Sequence, residues 1–161
     1  MTFDRETELL EPVAAWLETA GFDVRVEVPI LGRIADILGS RADQVTAVEL
    51  KMHDWQGALR QALAYQLAAD RAWVAMPLAA AFRAYRNRWR FEAEKVGLLA
   101  IDDQGGVRVP IPAGDSPRLL PFLQTKILVR AAPPKRAEVP WRTTPGSEAE
   151  DSCPRQEVTA A

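Results

Sequence analysis

The sequence contains almost no cysteine. Cys153 is the only one among 161 residues, so the chain cannot close an internal disulfide or build a metal site from several thiolates. Long apolar runs are missing too. No stretch approaches the length needed to span a membrane, and the first eight residues are charged rather than typical of a signal peptide. These absences predict a cytoplasmic protein without membrane contact.

The sequence also lacks a strong excess of positive charge. The formal net charge is −2, which argues against a generally basic nucleic-acid binder. The charges are unevenly distributed, however. Residues 1–54 carry five Lys or Arg against eleven acids, whereas residues 55–100 carry seven against three. The middle segment is therefore the positive one.

In other respects the composition is that of a globular protein. With 161 residues, of which 48% are hydrophobic, the chain is long enough for one domain with a single core. We place this domain at residues 1–130. From there on the sequence is rich in proline, charge, serine and threonine and poor in apolar residues, so we predict a disordered tail over residues 131–161.

Two short β-branched runs carry the most informative residues. Arg33–Gly39 and Val45–Lys51 are typical of strands that pair as a hairpin. Asp36 interrupts the first run, and Glu49 and Lys51 end the second. Because side chains alternate across a strand, Glu49 and Lys51 lie on one face. If Asp36 projects onto that face, two carboxylates and an ammonium group meet, and a divalent cation with oxygen ligands is the natural occupant.

The remaining elements complete an α/β pattern. Before the two strands we predict an amphipathic helix over 4–20 and a strand over 22–31. Pro12 allows the helix either to start near Glu11 or to start earlier with a kink, and we expect the earlier start. After them we predict a helix over 54–69, a strand over 72–76 parallel to the Glu49 strand, a helix over 79–95, a hairpin of 97–102 with 107–111, and a short last element within 119–129.

These residues resemble the active-site signature of the PD-(D/E)XK nuclease superfamily. The matching elements are Asp36 and the run Glu49-Leu50-Lys51, although Ala35 stands where the namesake proline is found. Gln61 and Tyr65, one helical turn apart, resemble the Gln-x-x-x-Tyr feature of the RecB-like branch. The resemblance covers about the first two thirds of the chain.

The chain is also similar to a bacterial family of phosphodiesterases that has this core and no settled substrate. The shared segments are Glu6–Leu9, Val48–Lys51 and Ala75–Pro77. The first-helix acid of the superfamily corresponds to Glu6 or to Glu8. The sequence leaves both open, together with the simpler explanation that both acids favour the positive N-terminal end of a helix.

The resemblance implies a restriction-endonuclease-like αβββαβ core, in which helices flank a mixed central sheet. It implies Mg²⁺ or Mn²⁺ bound by the carboxylates of Asp36 and Glu49 and by the backbone carbonyl of Leu50. The expected activity is hydrolysis of nucleic-acid phosphodiester bonds, with DNA as the expected substrate. A homodimer is one arrangement by which such an enzyme cuts duplexes.

Three further side chains receive catalytic roles from the resemblance: Lys51, Gln61 and Glu6. Lys51 would orient or deprotonate the attacking water, or stabilise developing charge. Gln61 would bind a substrate phosphate or fix the water. His53, the only histidine, is expected in a turn near the mouth of the site, but the scheme does not require it.

The predicted helix over 79–95 interleaves arginines with aromatic residues. Such a pattern can hold phosphates and stack bases. Helical spacing alone also explains it, with the aromatics facing the core and the arginines facing water. On the first interpretation, the residues that bind nucleic acid are Gln61, Tyr65, Arg83, Arg86 and Arg90.

Two other functions stay open. A nuclease fold without turnover could serve as a module that binds nucleic acid or a protein partner, although the presence of Asp36, Glu49 and Lys51 argues against it. Alternatively, Glu49 and Lys51 form a same-face ion pair in a purely structural sheet. That alternative leaves the acid that interrupts the Asp36 strand unexplained.

Overall fold

The computed structural model describes residues 2–131, which form an α/β fold with a six-stranded open sheet of mixed direction. The tail predicted for 131–161 lies outside the described residues, apart from its first residue. No helix within the described range has the length and apolar character needed to cross a bilayer. After a 3₁₀ turn at Glu6–Leu9, the elements are α1 (Leu10–Thr19), β1 (Asp23–Ile30), β2 (Arg33–Arg41), β3 (Gln44–Leu50), α2 (Trp55–Tyr65), β4 (Arg71–Pro77), α3 (Leu78–Tyr85), α4 (Arg88–Glu94), β5 (Gly97–Ile101), β6 (Val107–Ile111) and α5 (Pro121–Ala131).

The strands lie in the sheet in the order in which they occur in the chain. β1, β2 and β3 form an antiparallel meander, which includes the predicted hairpin of β2 with β3, where Ile37 lies opposite Val48. β4 lies parallel to β3, with Val74 opposite Glu49, which confirms the predicted crossover through α2. β5 continues parallel to β4, and β6 returns antiparallel to β5 as the predicted hairpin.

Different helices cover the two faces of the sheet. Val48 and Leu50 of β3 pack with Val13 of α1, whereas Ala47 packs with Tyr65 of α2. Because side chains alternate across a strand, α1 and α2 lie on opposite faces. The centre of the sheet is therefore buried on both sides, as is usual where strands run parallel.

The first helix combines the two starts that the sequence leaves open. The chain turns helical early, as a 3₁₀ turn, and α1 itself begins at Leu10. Pro12 therefore occupies the first α-helical turn, a position that tolerates proline, and the change from 3₁₀ to α takes the place of the expected kink. At the other end Gly21 has φ +85° and the Phe22 amide donates to the Leu17 carbonyl over 3.1 Å, which is a Schellman cap.

β1 does not keep the continuous buried face that the alternation over 22–31 predicts. Val24 packs on the α1 side of the sheet, whereas Val28 packs on the α2 side. Between them Val26 is 47% exposed and Glu27 has φ +53°, a left-handed value that costs a non-glycine residue about 1–2 kcal/mol. The strand therefore changes faces at Glu27.

The helix predicted over 79–95 is in fact two helices. α3 ends at Tyr85 and α4 begins at Arg88. Between them Asn87 has left the helical region, with φ −109° and ψ 26°. Asparagine favours such breaks because its short amide competes for nearby backbone hydrogen bonds. Both helices nevertheless pack on the sheet, α4 through the buried Phe91.

The contact between β5 and β4 leaves no room for a side chain at Gly97. A Cβ built there would collide with the Trp73 ring and lie 2.8 Å from the Ala113 amide nitrogen. We expect Gly97→Ala to lower the free energy of unfolding by about 1–3 kcal/mol, the usual effect of overpacking a core, in urea unfolding followed by circular dichroism. Gly114→Ala is the matched control, because the atoms nearest to a Cβ there are Cδ, Cβ and Cγ of Lys95, at 3.0–3.5 Å, rather than a ring and a backbone amide. Equal losses in both variants would contradict the close packing at Gly97.

Candidate active site

The backbone pairing of β2 with β3 stops before it reaches Asp36. The antiparallel ladder ends at the pair Ile37–Val48. Beyond this pair the Leu50 amide donates a hydrogen bond to Asp36 Oδ2, over 2.7 Å, instead of to a backbone carbonyl of β2. A carboxylate thus replaces the carbonyl that would have continued the ladder. This bond holds Asp36 at the carboxyl end of β3, next to Glu49.

Glu49 is a buried acid in contact with a buried phenol. The residue is 3% exposed, and Tyr65 Oη lies 2.7 Å from Glu49 Oε2 and 2.8 Å from the Ile34 carbonyl oxygen. A hydroxyl has one proton to donate. When Glu49 is ionised, only one of the two contacts is a hydrogen bond. When Glu49 is protonated, it donates to Tyr65, and Tyr65 donates to Ile34.

Lys51 reaches from the end of β3 to the 3₁₀ turn. Its Nζ lies 3.4 Å from Glu6 Oε1. Glu8 has a different role, because it accepts from the amides of Asp4 and Arg5 over 2.6 and 3.1 Å, and these bonds lower the pKa of its carboxyl. Of the two candidates, Glu6 is therefore the acid that lies at the site, while Glu8 stabilises the start of the turn.

The charges at this edge of the sheet affect one another. Burial raises the pKa of Glu49 to about 7; the Tyr65 hydrogen bond opposes the rise, and the Asp36 carboxylate adds to it. Burial also raises the pKa of Asp36, against the hydrogen bond from Leu50. Burial and then the Glu49 contact raise the pKa of Tyr65, so the phenol stays protonated. The two neighbouring acids resist ionising together unless a cation compensates them.

Glu27 belongs to this acidic group, although the sequence gives no sign of it. Glu27 lies between Val26 and Val28, which pair with Ile37 and Ala35 on either side of Asp36, and its charge adds to the rise in the Asp36 pKa. In the sequence Glu27 is only one of several polar residues that alternate with valines in β1. The left-handed backbone that accompanies its position has no local signature, since glycine and asparagine are the residues that usually adopt it.

Gln61 and Tyr65 lie one turn apart on α2, but they differ in exposure. Gln61 is half-buried and forms no hydrogen bond with any described residue, so its amide is free to bind a ligand. Tyr65 is fully buried, which leaves no side-chain surface for the predicted contact with nucleic acid; it supports Glu49 instead. His53 is exposed in the turn before α2.

The three arginines predicted to bind nucleic acid lie on α3 and α4. Arg83 and Arg86 are exposed and Arg90 is half-buried, and none of them forms an ion pair with another residue in the described part of the chain. The neighbouring aromatics do not all face the core, as the alternative interpretation requires. Phe91 is buried, but Trp89 is 66% exposed. These helices therefore present rings as well as charges to solvent.

The two carboxylates leave oxygen atoms free for a further ligand. One oxygen of Asp36 and one of Glu49 are anchored as described, and the second oxygen of each has no hydrogen-bond partner among residues 2–131. The Leu50 carbonyl oxygen is a third possible ligand for a cation. It points to the same edge of β3 as the Leu50 amide, because the N–H and C=O of a residue in an extended strand share one edge. Over the same range, no three His, Cys, Asp or Glu side chains form a group that could hold a metal ion. A bound ion would therefore be coordinated here by two carboxylates, together with backbone and water oxygens.

The chain matches no protein-family model and no curated protein. Its function is therefore inferred from the site itself: two anchored carboxylates, a buried phenol and an ion-paired lysine at one edge of the sheet. The acids in this set titrate, which gives the site a measurable signature.

The raised pKa of Glu49 implies that stability falls as pH rises. In the folded chain Glu49 keeps its proton up to about pH 7, whereas the unfolded chain releases it near 4.5. Between these values the folded state binds more protons, so the free energy of unfolding decreases with increasing pH. We expect a decrease of at most about 3 kcal/mol, measured by urea unfolding at about pH 5 and pH 8 without divalent cations.

The matching variant is Glu49→Gln, which keeps the shape of the side chain and removes its ionisation. We expect it to lose most of the decrease in stability with pH. Glu18→Gln removes an acid from an exposed position of α1 and should behave like the wild type. If the Glu49→Gln and wild-type profiles run parallel, Glu49 is not the buried acid described above.

Proposed function

We propose that the chain is a divalent-metal-dependent phosphodiesterase of the PD-(D/E)XK nuclease superfamily, acting on nucleic acid with DNA as the substrate. One observation carries the proposal. The Asp36 carboxylate accepts a hydrogen bond from the backbone amide of Leu50, the residue between Glu49 and Lys51 in the sequence. A plain ion pair on a strand surface does not need this bond. The bond joins the isolated acid of β2 to the acid-x-lysine element of β3 on which the resemblance rests.

The order of the elements supports the proposal. α1, β1, β2, β3, α2 and β4 follow the αβββαβ order of a restriction-endonuclease-like core, and the sheet is mixed in direction. Helices pack on both of its faces. The elements after β4 extend this core without interrupting it.

Mg²⁺ or Mn²⁺ fits the donors present. Hard divalent cations prefer carboxylate and carbonyl oxygens, and Mg²⁺ commonly keeps several waters beside one or two carboxylates. The free oxygens of Asp36 and Glu49 and the carbonyl of Leu50 are such a set. When bound, the ion would polarise the scissile phosphate and lower the pKa of a water molecule. The raised pKa of Glu49 is the change that a neighbouring cation would reverse.

The chain's own groups have separate tasks in this scheme. Lys51 orients the attacking water and stabilises the negative charge that develops on the phosphate. Glu6 positions the Lys51 ammonium through the contact at 3.4 Å. Tyr65 fixes the orientation of Glu49, and Gln61 offers its free amide to a phosphate oxygen or to the water. The water oxygen then bonds to phosphorus as one P–O ester bond breaks, and the proton that the water loses passes through solvent to the leaving oxygen.

The distribution of charge supports a nucleic-acid substrate. The acidic residues 1–54 supply the site itself, and the arginines of α3 and α4 follow directly after β4. Phosphates need positive charge of this kind beside the site, whatever the net charge of the protein. A cytoplasmic location and a homodimer complete the proposal.

A second function is favoured by one observation. Two carboxylates are a small donor set, and within residues 2–131 no third acid or histidine completes a metal-binding group. A nuclease fold without turnover would still present the arginines of α3 and α4 to nucleic acid or to a protein partner. The two functions differ in whether Asp36 and Glu49 bind a cation and whether phosphodiester bonds are cut.

Cleavage assays test the proposed activity. The purified chain is incubated with single-stranded, duplex and branched DNA and with RNA, in the presence of Mg²⁺ or Mn²⁺. We expect cleavage of DNA that EDTA abolishes and that Lys51→Ala and Asp36→Asn each reduce at least about 100-fold, because each removes a charge at the reacting phosphate. Lys126→Ala, at an exposed position of α5, is the control and should cleave normally. Activity that survives both site substitutions would belong to a contaminant, and the proposal would fall.

Cation binding distinguishes the two functions without an activity measurement. At about pH 8, where Glu49 is ionised, saturating Mn²⁺ should raise the melting temperature of the wild type by about 2–8 °C. Asp36→Asn and Glu49→Gln should abolish this shift. Glu8→Gln should keep it, because Glu8 caps the 3₁₀ turn and lies apart from the donors. A wild type that does not respond to Mn²⁺ would support the module without turnover.

A further inference from the structure

Helices α3 and α4 carry aromatic side chains in solvent. Phe82 is 62% exposed, Tyr85 37% and Trp89 66%. Large aromatic residues are usually buried in good part, and an exposed group of them marks a binding surface. The α3–α4 surface is defined here by these three rings and the arginines between them, Arg83, Arg86, Arg88 and Arg90.

The arginines of the α3–α4 surface have no acidic partners. No Asp or Glu occurs between residues 71 and 91, and none of the four forms an ion pair with a described residue. Two of them lie over rings of the surface instead: the Arg86 guanidinium is 5.5 Å from the Phe82 ring centroid, and that of Arg88 is 5.4 Å from the Tyr85 centroid. A partner that satisfies this surface must bring both negative charge and flat apolar faces.

We propose that the α3–α4 surface binds single-stranded nucleic acid and thereby selects the substrate of the candidate active site. The bases of a single strand expose faces that stack on aromatic side chains, and its phosphates pair with arginines. A duplex hides its base faces and would use the arginines alone. The selection of substrate rests on the proposed function, whereas the binding itself does not depend on cleavage.

The α3–α4 surface continues from the candidate active site. α3 begins three residues after Ala75, whose carbonyl accepts the Lys51 amide over 3.0 Å. In addition, the Arg90 guanidinium lies 5.2 Å from the ring centroid of Trp55. Trp55 follows Lys51 by four residues, a span of no more than about 14 Å. A strand that lies along the surface therefore comes close to the ion-paired lysine.

Other partners match the α3–α4 surface less well. A second copy docked symmetrically through this face would bring arginines against arginines. An anionic bilayer or an acidic protein would supply charge, but neither offers a flat ring beside each charge. A single strand repeats this combination at every nucleotide. The surface has the same repetition, with three rings and four arginines on two short helices.

Fluorescence anisotropy of the intact chain measures the binding. The probes are labelled single strands of DNA and of RNA and a DNA duplex, all of one length, in EDTA so that metal-dependent cleavage cannot occur. We expect the single-stranded DNA to bind at least about tenfold tighter than the duplex. We expect DNA and RNA single strands to bind within about threefold of each other, because stacking and phosphate contacts do not read the sugar.

Substitutions in the α3–α4 surface should weaken single-strand binding selectively. Trp89→Ala and Phe82→Ala should each weaken it about five- to 100-fold, the usual effect of losing one stacked base, and Trp89→Phe should restore most of it. Arg83→Gln should reduce the slope of log affinity against log salt by about 0.7. Phe122→Ala is the matched control, because the Phe122 ring is 59% exposed on α5, with Lys126 Nζ 5.8 Å from its centroid. It should bind like the wild type.

The outcomes separate this inference from the proposed activity. Duplex binding as tight as single-strand binding, a sugar preference above about tenfold, or binding that Trp89→Ala leaves unchanged would overturn the inference. Uptake of phosphatidylserine vesicles that depends on Trp89, without oligonucleotide binding, would overturn it too. If the wild type binds single strands through the α3–α4 surface yet never cleaves, the inference stands and the proposed activity fails. If it cleaves without using the surface, the proposed activity stands and the inference fails.

Discussion

The bond between the Asp36 carboxylate and the Leu50 amide determines the edge of the sheet on which the site lies. A backbone carbonyl in its place would have continued the ladder and put no reactive group there. The side-chain acceptor ends the pairing of β2 with β3, and it leaves a charge beside Glu49 where the chain continues to Lys51. Because the bond is partly buried, it is stronger than one in water, and the charge that it holds is correspondingly harder to accommodate.

The cost of accommodating a buried charge is largest at Glu49. Val74, its register partner on β4, is apolar, and a residue of the same kind at position 49 would satisfy a purely structural sheet. The chain instead buries an acid whose pKa rises to about 7 and supplies Tyr65, which has one proton for two acceptors. Buried polar groups that the fold leaves incompletely satisfied are characteristic of functional sites, where a ligand satisfies them instead. A cation at the free oxygens of Asp36 and Glu49 would satisfy these two acids.

Local patterns predicted most of the fold and part of the site. The β-branched runs around Asp36 and Glu49 predicted two strands. The helix predicted over 54–69 begins at Trp55, after Asp54, whose side chain accepts a hydrogen bond from the Gly57 amide over 2.9 Å. Neither the burial of Tyr65 nor the approach of β1 to Asp36 has a local signal, because both depend on how distant segments pack. Helical periodicity likewise shows which side chains share a face, but not whether another element covers that face.

The parallel direction of β4 connects the acidic and the basic parts of the chain. Open α/β sheets place their ligands at the carboxyl ends of strands, and the crossover through α2 brings the carboxyl ends of β3 and β4 to one edge, where the Lys51 amide meets the Ala75 carbonyl. α3 starts at Leu78, directly at that edge. An antiparallel β4 would have carried Leu78 and the arginines after it to the opposite edge. Topology, more than any single contact, therefore places positive charge next to an acidic site that cannot attract phosphates by itself.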